Sequence, residues 1–230
     1  MKLFIALCIS GIVIYFAYGY FNKRLYYILL SLLYRENKPQ EFLDKLDTTY
    51  AKLMFNKNIR LLMSIDAYLT LDRKEELDQV FATLNKASIK KTDKYLVYQK
   101  EVIFYADHHE EEKARAAFAA MKELLAGFNK NREKYENLYD ECKYVVAIKL
   151  DKDGQYAEEL SKKARETTLD VAKGMYFFKA SQSYLLRGEN KMCKNRLEDA
   201  YGYLKDTNYG PIIDEIMTKG EYEKILDLSI

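Results

Sequence analysis

Tryptophan is absent from this chain, proline occurs twice and glycine nine times in 230 residues. So little turn chemistry argues against a β-rich fold, and the abundance of Leu, Lys, Glu, Ala and Tyr favours helices throughout. Cys8, Cys142 and Cys193 form no CxxC pair, which indicates neither a metal knuckle nor a disulfide framework. The 37 basic and 35 acidic residues cancel to a formal charge of +2, so no global field draws the chain to nucleic acid, and no nucleic-acid partner is expected.

Catalytic signatures are missing as well. No GxSxG, GxGxxG or GxxxxGK[ST] occurs, and neither Cys142 nor Cys193 has a histidine nearby in sequence. His108 and His109 are the only histidines, which removes most acid–base and metal designs. In the run His108-His109-Glu110-Glu111-Glu112, adjacent helical histidines would point about 100° apart, leaving His108 with Glu112 and no third ligand. The run reads as a solvated turn with acids at the next helix's N-terminus. Neither an enzyme nor a cofactor is expected.

The one long apolar run is Leu3–Phe21, LFIALCISGIVIYFAYGYF, which carries no charge and is flanked by Lys2 and by Lys23-Arg24. At about 1.5 Å per residue it nearly spans a hydrocarbon layer of about 30 Å. Tyr15, Tyr18 and Tyr20 crowd its carboxyl end like an interfacial aromatic belt. The expectation is a single-pass anchor over residues 1–24, with the membrane met through residues 3–21. The alternative is a cleaved signal peptide ending near Ala17-Tyr18-Gly19, which would leave a secreted helical protein. Lys23, Arg24, Arg35 and Lys38 outnumber Lys2 and the α-amine, which places the remainder in the cytoplasm; the opposite, extracytoplasmic topology is the alternative.

Beyond the anchor, apolar residues recur at helical spacing in blocks of about fifteen separated by short polar breaks. Tyr98, Val102 and Tyr105 mark one helix face, and Ala114, Phe118, Met121 and Leu125 mark the next, across the His108-His109 break. Each apolar stripe needs a neighbour, and short breaks make neighbours antiparallel. Taking Asn37, Asp72, His109, Gly154, Gly188 and Gly220 as equivalent, the spacings are 35, 37, 45, 34 and 32 residues. Four of the five lie near one period, which points to stacked helix pairs over residues 25–230.

This pattern resembles the tetratricopeptide repeat. Gly154-Gln155-Tyr156 and Gly220-Glu221-Tyr222 match its turn, Ala114 with Phe118 matches its tight helix crossing, and Tyr68, Tyr105 and Tyr184 recur four residues before the turn marker. The resemblance implies an all-α chain whose repeat domain is a right-handed solenoid of about five antiparallel helix pairs. It also implies binding of an extended or helical segment of another protein on the concave face. Tyr98, Tyr144 and Phe177, with Lys94, Lys143 and Lys179 beside them, are the candidate contacts on the inner side of first helices. Leu25–Leu33, apolar almost all round, is expected to be buried in the first repeat, packed on lipid, or a continuation of the anchor. The leading functional expectation is a membrane-anchored adaptor. The alternative is a structural or assembly subunit of a membrane complex.

Overall fold

In a computed structural model the description covers residues 16 and 18–228, and all regular structure among them is helical. Of the run Leu3–Phe21, only residues 16 and 18–21 are among these, and the rest lies outside the described residues. Among the described residues no helix is long and apolar enough to cross a membrane.

The chain forms two compact units, divided between Val97 and Tyr98. In the first, helix α1 covers 18–30 and closes in a π-helical turn, Ser31–Arg35. Helices α2 (Pro39–Leu46), α3 (Thr49–Met54), α4 (Lys57–Thr70) and α5 (Lys74–Lys86) follow. Pro39 opens α2 at a position whose missing N–H costs nothing. Thr48 and Asn56 cap α3 and α4 by accepting from Ala51 N at 3.2 Å and Ile59 N at 3.0 Å. Leu25, Leu29 and Leu33, four residues apart on one face of α1, pack with Phe42, Leu43 and Leu46 of α2 and with Ala51, Phe55 and Ala67. Tyr26, Tyr27 and Ile28 on the other face are exposed. Leu25–Leu33 is thus buried along one stripe only.

Helix α6 (Lys91–Asp107) begins in the first unit and ends in the second. The second unit continues with α7 (Glu111–Ala126) and α8 (Arg132–Val145), which ends in a π-helical turn, Val146–Leu150. Then come α9 (Ala157–Glu166), α10 (Asp170–Leu186), α11 (Asn190–Leu204), α12 (Gly210–Lys219) and a 3-10 turn, Tyr222–Leu226. Helix α10 is the hub of this unit. It packs on α9 and α11, and Phe177, Phe178, Ala180 and Tyr184 join Leu160, Leu197, Leu204, Ile213 and Ile225 in one core.

The repeating breaks are one backbone device. Asn37, Asp72, His109, Lys152, Gly188 and Gly220 all adopt positive φ, between 51° and 73°. After four of them the next N–H returns to a carbonyl five residues back: Arg73 to Tyr68 at 3.0 Å, Glu110 to Tyr105 at 2.8 Å, Glu189 to Tyr184 at 3.0 Å and Glu221 to Ile216 at 3.1 Å. These are Schellman-type helix ends, which satisfy carbonyls the helix leaves orphaned. After Asn37 and Lys152 the return is one residue longer, Lys38 to Leu32 at 2.8 Å and Asp153 to Ala147 at 2.9 Å, because each of those helices ends in a π-turn. The recurring tyrosines 68, 105 and 184 are therefore the residues whose carbonyls close the cap.

One marker needs correction: in the fourth unit the left-handed residue is Lys152, not Gly154. Gly154 is small for a different reason. A Cβ there would lie 2.1 Å from the Ser183 carbonyl oxygen, so the α8–α9 turn passes directly against α10.

Candidate binding groove

In the second unit, side chains of α6, of α8 with its π-turn, and of α10 line a groove. Ile103 and Asp107 come from α6, Val145, Ile148 and Lys149 from the end of α8, and Lys179 and Gln182 from α10. The chain's own C-terminal segment enters it. Lys149 Nζ donates to the carbonyls of Leu226 at 3.0 Å and Leu228 at 2.8 Å, and the Gln182 amide donates to those of Ile225 at 2.6 Å and Leu228 at 3.2 Å. The space left beside Leu228 is about 40 Å³, room for little more than one water.

Lys149 is a buried cation whose side chain keeps only 8% of its exposure, and Asp107 lies 3.8 Å away as its counter-charge. Burial pulls its ammonium below the ordinary lysine range, and Asp107 works against that pull. A lysine here is costly unless its protons are used, and two tail carbonyls use them. The groove reads backbone, since all four bonds end on main-chain oxygens. Those oxygens belong to the last residues of the 3-10 turn and to Leu228 just beyond it, so a helix end that presents carbonyls at this spacing offers the same acceptors.

Beside this clamp lies a lattice of tyrosines, lysines and carboxylates on α8, α9 and α10. Glu141 accepts from Tyr176 Oη at 2.7 Å and from Lys179 Nζ at 2.7 Å. Tyr144 Oη donates to Glu159 at 2.5 Å. Lys143 pairs with Asp140 at 3.1 Å and stands over the Tyr156 ring at 4.8 Å, while Lys163 stands over Tyr144 at 4.9 Å. Burial, with a carboxylate accepting from the neutral hydroxyl, raises both Tyr144 and Tyr176 well above the ordinary phenol range. Their hydroxyls stay protonated as fixed donors.

Of the six residues singled out from sequence, Lys143, Tyr144 and Lys179 meet in this lattice. Tyr144 is fully buried and Phe177 nearly so, and both belong to the core cluster. They are core-filling side chains, so neither offers its ring to a ligand. Sequence spacing places a residue on the inner stripe of a helix but does not separate the depth of that stripe from its rim. Tyr98 is half-buried on α6, with its hydroxyl raised by burial and then by Glu101 and Glu123. Lys94 lies in the first unit, where its Nζ donates to the Asn85 carbonyl at 2.9 Å.

Sequence reasoning missed Lys149 and Gln182. A signal existed for both. Lys149 interrupts the apolar stretch Val145–Leu150, and Gln182 sits between two serines on a helix otherwise apolar around it.

The remaining reactive groups are held inert. Cys142 is buried with its thiol pushed up to about 12, and Cys193 to about 11, both by desolvation first. His108 Nδ1 lies 2.9 Å from the Phe104 carbonyl, and its ring packs on Phe104 at 4.2 Å. Among the described residues no three His, Cys, Asp or Glu side chains gather as metal ligands. Compared with models of protein families, with curated proteins and with solved structures, the chain matches none.

Proposed function

We propose that the chain is a membrane-anchored adaptor, a tetratricopeptide-like right-handed solenoid of helix pairs whose inner groove captures an extended or helical segment of another protein. In this reading residues 3–21 hold it in the membrane and the helical domain faces the cytoplasm. It is a binding protein and not an enzyme.

The observation that supports it best is the backbone clamp. Lys149 and Gln182 together donate four hydrogen bonds to the carbonyls of a segment lying across first helices. The held carbonyls belong to the end of a 3-10 turn and the residues just after it, so a groove that holds main chain this way suits the carbonyl end of a helical segment. The partly exposed Tyr98 and Lys143, with the more deeply set Lys179 held by Glu141, then supply side-chain contacts next to it. Affinity would come from a few such anchors rather than from area.

Photo-crosslinking in native membranes tests this. A photoreactive amino acid placed at Tyr98 or at Lys143 of the full chain is expected to give one discrete adduct, mapping to the same peptide of the same protein from both positions. A charge reversal at the clamp rim, Lys179→Glu, is expected to weaken that adduct at least fivefold. Adducts confined to lipid, or to the chain itself, at both positions would refute the reading.

A further inference from the structure

Two side chains of α1 reach one carbonyl. Tyr18 Oη donates to Met54 O at 3.0 Å and Asn22 Nδ2 donates to the same oxygen at 2.9 Å. Residues 18 and 22 are one helical turn apart, about 6 Å along the axis. The C-terminal end of α3 is therefore fixed at the level of α1 where the uncharged run ends, at Phe21. Leu53, the residue before Met54, is 71% exposed, and Tyr20 on α1 is 63% exposed. Tyr50 and Phe21 are exposed as well.

The charge around this level has one sign along α1. No Asp or Glu precedes Glu36, whereas Lys23 and Arg24 come one residue after Phe21, past Asn22. Lys23 Nζ lies 5.8 Å from the centre of the Tyr27 ring, an outward-facing aromatic. Helix α3 carries no acid, and Asp47, between α2 and α3, is already paired with Lys52 at 2.8 Å. Exposed leucine and tyrosines with flanking lysine and arginine are the composition that suits the boundary between acyl chains and headgroups.

We propose that Tyr50 and Leu53 of α3, at the level of Tyr20 and Phe21 where the anchor run ends, form a second membrane contact that beds into the headgroup and upper acyl layer of a bilayer containing anionic lipid. It rests on the anchor reading of residues 3–21, because that run brings the bilayer edge to the level of Met54. The two hydrogen bonds from α1 then leave Leu53 at that edge. The anchor and α3 grip the bilayer at two points, which fixes the tilt of the first unit against the surface.

The chain has no tryptophan, so one introduced indole reports alone. The full chain carrying Leu53→Trp or Tyr20→Trp is placed in nanodiscs of phosphatidylcholine and phosphatidylglycerol, with and without bromine at acyl carbons 6 and 7. Bromine is expected to quench emission at least twofold in both variants. Quenching in Tyr20→Trp with none in Leu53→Trp overturns the second contact and leaves the anchor standing. No quenching in either variant removes the anchor and the contact with it. Blue-shifted but unquenched emission from Leu53→Trp means that protein covers the patch, and overturns the lipid assignment.

Discussion

Lys149 Nζ and the Leu228 carbonyl meet at 2.8 Å although 79 residues separate them in sequence. That bond closes the second unit on itself and converts a charged side chain inside an apolar stretch into a structural clamp. Removing the donor leaves two tail carbonyls short of a partner in a site that water reaches poorly. Lys149→Ala is expected to cost about 2–3 kcal/mol, in the range for losing a charged hydrogen-bond donor and exposing its acceptors. Equilibrium urea denaturation of the full chain checks it. Hydrogen exchange at residues 225–228 is expected to rise in the same variant.

Tyr144 separates ring from hydroxyl. Its ring fills the core and its hydroxyl donates to Glu159, an exposed residue. Tyr144→Phe is expected to cost about 1 kcal/mol, the net value of an ordinary hydrogen bond. Tyr144→Ala is expected to cost about 3–5 kcal/mol through the cavity it leaves. Partner capture that survives Tyr144→Phe shows that this tyrosine acts as packing, and a denaturant series on both variants measures the difference.

The fourth helix break carries two opposite expectations. Gly154→Ala drives a methyl into the Ser183 carbonyl and is expected to destabilise by about 1–3 kcal/mol, as overpacking does. Lys152→Gly relieves a left-handed backbone at φ 51° and is expected to stabilise by about 1 kcal/mol. It also removes a positive charge that disfavours protonated Lys149. Thermal melts of the two variants should move in opposite directions from the parent.

Alkaline pH should loosen the second unit in stages. Cys142 and Cys193 lie above their ordinary value of 9.0, and Tyr144 and Tyr176 above 10.0. For each, the unfolded chain releases its proton first, so between the unfolded and folded values the native state binds more protons and stability falls as pH rises. Lys149 has the reverse sign: its folded value is depressed, so its burial penalty is relieved as pH climbs toward 10.5. Tyr98, Tyr139 and Lys143 are raised as well and act with the same sign, so the raised groups outnumber Lys149 and the urea midpoint is expected to fall from about pH 9 upward. Cys142→Ala should flatten the earliest part of that fall.

Helical class and the placement of the breaks were legible in the sequence, because both depend on local chemistry. Few prolines and glycines, apolar residues at helical spacing, and Asn, Asp, His or Gly at the end of each stripe act within a turn or two of themselves. The recurring tyrosines 68, 105 and 184 were legible for the same reason, since a helix cap is closed by backbone five residues away. The shift from Gly154 to Lys152 was hidden because lysine has no preference for the left-handed region, while Gly154 two residues on offered the residue type that does. The apolar stripes of α8 and α10 likewise named Tyr144 and Phe177 but not their depth.

Residue types and their periodicity alone determined that this chain would be helical, where five of the six repeating breaks between helices fall, and which stripe of each would seek a neighbour. Tertiary structure alone decided which of those stripes close over one another. Leu25, Leu29 and Leu33 turn inward while Tyr26 and Tyr27 stay out, Tyr144 sinks as Tyr98 stays at the rim, and Lys149 and Gln182 find the tail. The reason is range. Capping and helix propensity are settled by a few neighbouring residues, whereas burial and the partner of a buried charge are settled by whatever surface the rest of the chain brings to that point.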